Sequence, residues 1–171
     1  MSRASGWAFG EGAALSNLAR AAARAGRFEE AHQRFDQALA VFEELSAERF
    51  KVEAMARRAE CLVFEGRYRE ALEVASECRE AAAHSPVGGV EALIERSVGY
   101  AHHQARQPEE ARPHFEESLR IARELKVQYE VALTLRAMAA THYPTSDDVA
   151  AEADEILERL GVVSLPSVPL P

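Results

Sequence analysis

The sequence predicts an all-α protein, a right-handed solenoid of about four helix-turn-helix hairpins, and three observations carry that prediction. Ala and Leu, the strongest helix formers, dominate an apolar fraction of 47% in place of the β-branched residues that favour strands. The segment Gly26-Arg27-Phe28-Glu29-Glu30-Ala31 returns as Gly66-Arg67-Tyr68-Arg69-Glu70-Ala71 and, more distantly, as Arg106-Gln107-Pro108-Glu109-Glu110-Ala111. A fixed period of this size is the mark of a stacked array. The closing alanines stand 40 residues apart, the same step reaches Ala151, and a parallel series runs Ala19, Ala59, Gly99 and Ala139. Small residues at fixed points on both helices of a hairpin let the backbones approach closely where the helices cross.

The elements follow in order from this step. Residues 1–11 read as a lead-in, 12–161 as the repeat domain with units near 12–51, 52–91, 92–131 and 132–161, and 162–171 as a proline-containing tail. First helices show apolar residues at helical spacing, Leu15, Leu18, Ala19 and Ala22 in one unit and Met55, Ala59, Leu62 and Val63 in the next. Second helices repeat the pattern with Phe28, Ala31, Phe35, Ala38, Leu39 and Phe42, and later with Phe115, Leu119, Ala122 and Leu125. Gly26 and Gly66 stand where a first helix should stop, and Pro108 suits an opening turn, where its missing N–H costs little. In the third unit Glu95 occupies a position expected to be apolar and the turn glycine is absent; in the fourth, Glu155 stands at an aromatic position. The fourth unit still reads as two helices. Pro144 interrupts the pattern, Ser146-Asp147-Asp148 offers an N-cap with acidic residues in the first turn, and Val149, Ala153, Ile156, Leu157 and Leu160 share a face. Gly161 then stops the helix, and Pro166, Pro169 and Pro171 make the tail extended.

With a small residue in the first helix and Ala twelve positions on, after a Gly-aromatic turn, the pairs Ala19 with Ala31 and Ala59 with Ala71 resemble the tetratricopeptide repeat family. The period here exceeds the family's usual 34 residues, and this longer form resembles the repeats of large bacterial regulatory proteins. The resemblance implies a protein-interaction role with first helices lining a concave groove. It also implies an alternative, that this is the regulatory or sensory carboxyl-terminal portion of a larger bacterial ATPase, cyclase or transcriptional regulator, because the tail is similar to the endings of such proteins.

Composition narrows the function classes. A net charge of -8 argues against nucleic acid and anionic membrane as partners, since both require Lys and Arg to neutralise phosphates. No apolar run reaches the length of a spanning helix. Two cysteines, Cys61 and Cys78, without a CxxC pair or a secretory leader point to a cytoplasmic protein with buried free thiols. There is no phosphate loop, HExxH, nucleophile elbow or Gly-rich dinucleotide turn, so the expectation is a non-enzyme without cofactor. Gly88-Gly89 reads as a hinge between units. His102 and His142 occupy equivalent positions, but no third ligand stands at metal spacing, so no metal site is expected. His102 reads instead as a packing residue.

Charge divides by face. First helices carry about two more arginines than glutamates, and second helices are acidic, as in Glu29, Glu30, Asp36, Glu43 and Glu44. The residues expected to point into the groove are Asn17, Arg20, Arg24, Arg57, Arg96, Tyr100, His103 and Arg136. Arg holds a carboxylate through two parallel hydrogen bonds and Asn binds an extended backbone, so the expected partner is a protein or peptide bearing acidic or carboxylate groups. Against this stands the plainer expectation that the arginines pair with neighbouring glutamates. Self-association is a further alternative, since an array starting at Met1 leaves an apolar end face with Trp7 and Phe9 to cover it or to meet another copy, as a homo-oligomer.

Overall fold

The computed structural model describes residues 3–85, 87–141 and 146–171. These form α1 (Arg3–Arg24), α2 (Phe28–Glu44), α3 (Glu48–Glu65), α4 (Tyr68–His84), α5 (Val90–Gln104), α6 (Pro108–Glu124), α7 (Gln128–Ala140) and α8 (Ser146–Arg159). Each odd helix packs antiparallel on the even helix that follows it, and consecutive odd helices touch, so α1, α3, α5 and α7 make the inner layer of an all-helical solenoid. His142 and Pro144, and the side chains of Ser146 and Asp147, lie outside the described residues.

The helices begin almost every 20 residues, and one compact turn explains the rhythm. At the end of α1, Gly26 adopts φ 73° and Arg27 N–H donates to Ala22 C=O at 2.9 Å. This pattern satisfies the last carbonyls of the helix. Arg27 is also the N-cap of α2, so a single turn closes one helix and opens the next. The same bond recurs from Ala47 to Phe42, Arg67 to Leu62, Gln107 to His102, Val127 to Ala122 and Val162 to Leu157. No N-cap of α2 through α7 makes a side-chain capping bond. Each of these helices instead carries acidic residues in its first turn, from Glu29 and Glu30 to Glu130, whose charge favours the helix N-terminus.

Packing keeps the 40-residue step through three units and then slips. Ala19, Ala31, Ala59 and Ala71 are buried, as is Ala111. Gly99 is required rather than merely small. A Cβ there would stand 2.7 Å from the Phe115 ring, closer than carbon atoms approach. In the fourth unit Ala139 is half-buried and Ala151 exposed; Ala137 is buried, and because α8 starts 38 rather than 40 residues after α6, Val149 stands where Ala111 does and Ala153 where Phe115 does. The reason lies in α7, which ends at Ala140 after 13 residues where α3 has 18, shifting the register of α8. Glu155 accordingly faces outward and Ile156 inward. Glu95 is accommodated in its expected apolar place because Arg79 and His114 bond its two oxygens at 2.6 and 2.7 Å.

Three leucines expected on buried faces are not buried. Leu18, Leu125 and Leu160 are 50%, 47% and 44% exposed. For Leu18 the cause is positional. In later units the corresponding face meets the preceding second helix, as where Arg58 pairs with Asp36 at 3.0 Å. No unit precedes α1 among the described residues. Trp7, three helical turns earlier on the same stripe, is 82% exposed. Cys61 and Cys78 are buried free thiols on the paired helices α3 and α4, and burial pushes both up to about 12. Gly89, with φ 87°, is the N-cap of α5 and marks the longer connection between the second and third units. Among the described residues no helix is long and apolar enough to cross a membrane.

Candidate functional site

The inner helices border a cavity of about 720 Å³ whose opposite wall is the chain's own tail. From α3 and α5 come Val63, Phe64, Arg96 and Tyr100; from α7 and α8 come Leu133, Arg136, Asp154 and Leu157; residues Val162 to Val168 and Leu170 close it. The tail arrives there because Gly161, at φ 70°, ends α8 and reverses the chain. Val162 and Leu165 then pack on the core shared by α7 and α8, and Val168 packs with Leu62, Val63, Ala71, Ala101 and Tyr100. Gln104, at the end of α5, donates from Nε2 to Val63 C=O at 2.8 Å and to Pro169 C=O at 2.9 Å. One amide thus ties the tail to α3 and α5 together.

Beneath the groove lies a buried ion cluster. Arg96 is 4% exposed, and its Nη1 donates to Glu130 Oε2 at 2.6 Å while Nη2 stands 3.4 Å from Glu60 Oε1. Arg57 reaches the same two carboxylates at 3.4 and 3.9 Å. Burial alone pushes the Glu130 carboxyl up, and the charge and hydrogen bond of Arg96 outweigh it, holding the group below the usual carboxylate range. Burial likewise works against the Arg96 charge, and Glu130 and Glu60 more than offset it. Tyr100 stacks edge-on against Phe115 with centroids 5.4 Å apart, and burial pushes its phenol up to about 12.

The eight residues expected to line the groove therefore divide. Arg24, Arg96, Tyr100 and Arg136 border the cavity; Asn17, Arg20, Arg57 and His103 do not. Asn17 is exposed and His103 half-buried. Pairing further reduces the stripe of arginines. Arg96 and Arg57 are engaged by Glu60 and Glu130, and Arg136 by Asp154 at 3.0 Å. Arg20 forms no ion pair or hydrogen bond among the described residues, and its Nε is buried without a partner. Burial and then the like charge of Arg57 lower its pKa. Arg24 donates only to the neutral Tyr129 hydroxyl, at 3.0 Å across the concave side from α1 to α7. Arg20 and Arg24 are thus the arginines of this stripe that make no ion pair among the described residues, although Glu60 and Glu53 act on Arg20 through space.

Gln104, Phe64 and Glu60 are site residues that inspection of the sequence passes over. A signal for them exists. Stepping by 40 residues from Arg24 reaches Phe64 and then Gln104, and stepping from Arg20 reaches Glu60 and then Tyr100. His102 stacks parallel on His114 with centroids 5.4 Å apart and bonds Gln107, as a packing residue does. Among the described residues no three His, Cys, Asp or Glu side chains are grouped to hold a metal.

Hairpins stacked around an inner groove that holds an extended segment define a helical-repeat interaction scaffold. Two models of the tetratricopeptide repeat match the chain, one over residues 10–84 and one over 96–125, together more than half of its length. The chain belongs to the tetratricopeptide repeat family. No curated protein matches it.

Proposed function

We propose that this protein is a non-catalytic scaffold that holds an extended segment of a partner protein against the face formed by α1, α3, α5 and α7. The observation that carries this reading is the tail itself. A stretch of extended chain lies along that face, its side chains in the inner cores and its backbone bonded by Gln104. Extended segments suit such a surface because inner-helix side chains supply pockets and amide donors along its length. A carboxylate on the partner is favoured near Arg20 and Arg24, which make no ion pair among the described residues, rather than at Arg57 and Arg96.

A photo-crosslinking residue at Phe64, on the groove wall, is expected to join a discrete partner in the native cell. The same residue at Glu73, exposed on α4, should not. Arg20→Glu/Arg24→Glu should lower the yield from position 64 at least tenfold. Crosslinking mainly from position 73, or yields unmoved by charge reversal, would overturn the reading.

A further inference from the structure

We infer that the ligand this groove accepts is an extended, proline-containing apolar segment with a large aliphatic residue at every third position, and that residues 162–171 are a resident copy which a partner must displace. The inference rests on the groove being the interaction site. It adds the chemistry of the ligand and the regulation of access.

Three features of the tail support it. The side chains that pack on the helical cores are Val162, Leu165 and Val168, spaced by three, while Val163, Ser164 and Ser167 are exposed, Val163 to 98%. A spacing of three is that of the polyproline II helix, which returns to the same face every three residues and has no internal hydrogen bonds. Second, prolines stand at 166, 169 and 171, which fix φ and remove N–H donors, so a segment of this kind presents mainly acceptors. The groove answers with a donor. Gln104 Nε2 bonds Pro169 C=O, and Pro169 Cγ lies 3.5 Å from where a Cβ on Gly66 would stand, which seats the ring beside the turn after α3. Third, the tail covers apolar groove residues that other helices pack on one side only. Without the tail, Val63, Tyr100 and Leu157 would face water around an open cavity, an apolar surface that favours cover.

Occupancy in cis has a quantitative consequence. The tail follows α8 through Leu160 and Gly161 alone, so its local concentration at the groove is on the order of millimolar, and a partner of similar intrinsic affinity competes at a disadvantage. Displacement is favoured by a partner that matches the apolar triplet and adds a carboxylate at Arg24, which borders the cavity and bonds the Tyr129 hydroxyl rather than a carboxylate.

The test uses the full chain, a full-chain Leu165→Asp/Val168→Asp variant, and a fluorescent, end-blocked peptide with the sequence of residues 162–171. Fluorescence anisotropy is expected to show the peptide binding the variant, and binding wild type at least tenfold more weakly. The same peptide with both positions changed to Asp should bind neither. Equal binding to wild type and variant would show that the tail does not occlude the groove, and would overturn the inference. An acidic peptide without the apolar triplet is the discriminating arm. If it binds the folded variant and the tail peptide does not, the ligand class is wrong while the groove reading stands; if neither binds, both fail. Should the variant not fold by circular dichroism, nuclear Overhauser contacts in isotope-labelled wild type decide. Methyl contacts from Val168 to Leu62 and Val63 that weaken when excess unlabelled tail peptide is added support the inference, and their absence from the free chain refutes it.

Discussion

At the scale of single residues, Arg96 is the side chain on which the inner layer depends. It joins Glu60 on α3 and Glu130 on α7 from its place on α5, so three of the four inner helices meet at one guanidinium. Taking charges out of water is costly, and the cluster is stable only while the pairing is complete. Arg96→Met is therefore expected to destabilise the fold by about 3–5 kcal/mol at pH 7, because two carboxylates are left close together with only Arg57 between them. The pH dependence separates charge from packing. In the wild type Glu130 has a depressed folded pKa, so its contribution is present above the unfolded value of about 4.3 and is lost as pH falls through the folded value. In the variant, burial unopposed by Arg96 raises the folded pKa, and acid relieves the strain. The stability deficit should narrow as pH falls from 7 toward 4 in denaturant titrations. A deficit that is constant across that range would assign the loss to packing instead.

At the scale of elements, the connecting turns show what the sequence makes legible and what it hides. Gly26 and Gly66 announce their turns, and the second hairpin follows from the first by the 40-residue step. The third turn is built identically without glycine, since Arg106 adopts φ 63° and Gln107 N–H donates to His102 C=O at 2.9 Å. Tertiary packing of α5 on α6 imposes a backbone conformation that Arg does not favour, which is why local sequence gives no sign of it. Ser46 and Lys126 adopt the same conformation between units. The left-handed region costs a residue with a Cβ about 1–2 kcal/mol, and part of this is offset by the greater unfolded-state entropy of glycine. Arg106→Gly is expected to stabilise the protein by about 0.5–1 kcal/mol, read as a higher denaturant midpoint at unchanged slope. No gain would mean that the turn is held by contacts of the Arg106 side chain. The fourth unit was less legible for a different reason. The step does not fix how long a helix runs, and after the shorter α7 the helix α8 begins two residues early, so that Val149 takes the place expected for Ala151 and Ala153 that of Glu155. In the groove, residue type was readable and pairing was not. Arg57, Arg96 and Arg136 lie near the inner face as expected, yet their charge is taken up by carboxylates brought from other helices.

At the scale of the whole molecule, contacts that skip units set this array apart from a simple stack. In a stack each unit feels only its neighbours, and stability is a sum of local terms. Here Arg24 on α1 bonds Tyr129 on α7, 105 positions away, and the tail that leaves the fourth unit packs on α3 of the second. The exposed Arg24–Tyr129 bond contributes little by itself, whereas the tail buries aliphatic side chains at both ends of its path. The tail should therefore act as a strap that makes the second and fourth units open together. Hydrogen exchange followed by mass spectrometry is the suitable probe, since it reports the opening of each helix separately. In the wild type, amides of α3, α4, α7 and α8 are expected to share one opening free energy. In Leu165→Asp/Val168→Asp, α7 and α8 should exchange at least tenfold faster, while α3 and α4, still covered by their own neighbours, change less. Uniform acceleration of all four helices would mean that the substitutions weaken the core generally, and unchanged exchange in α7 and α8 would mean that the tail rests on the groove without bearing on its stability.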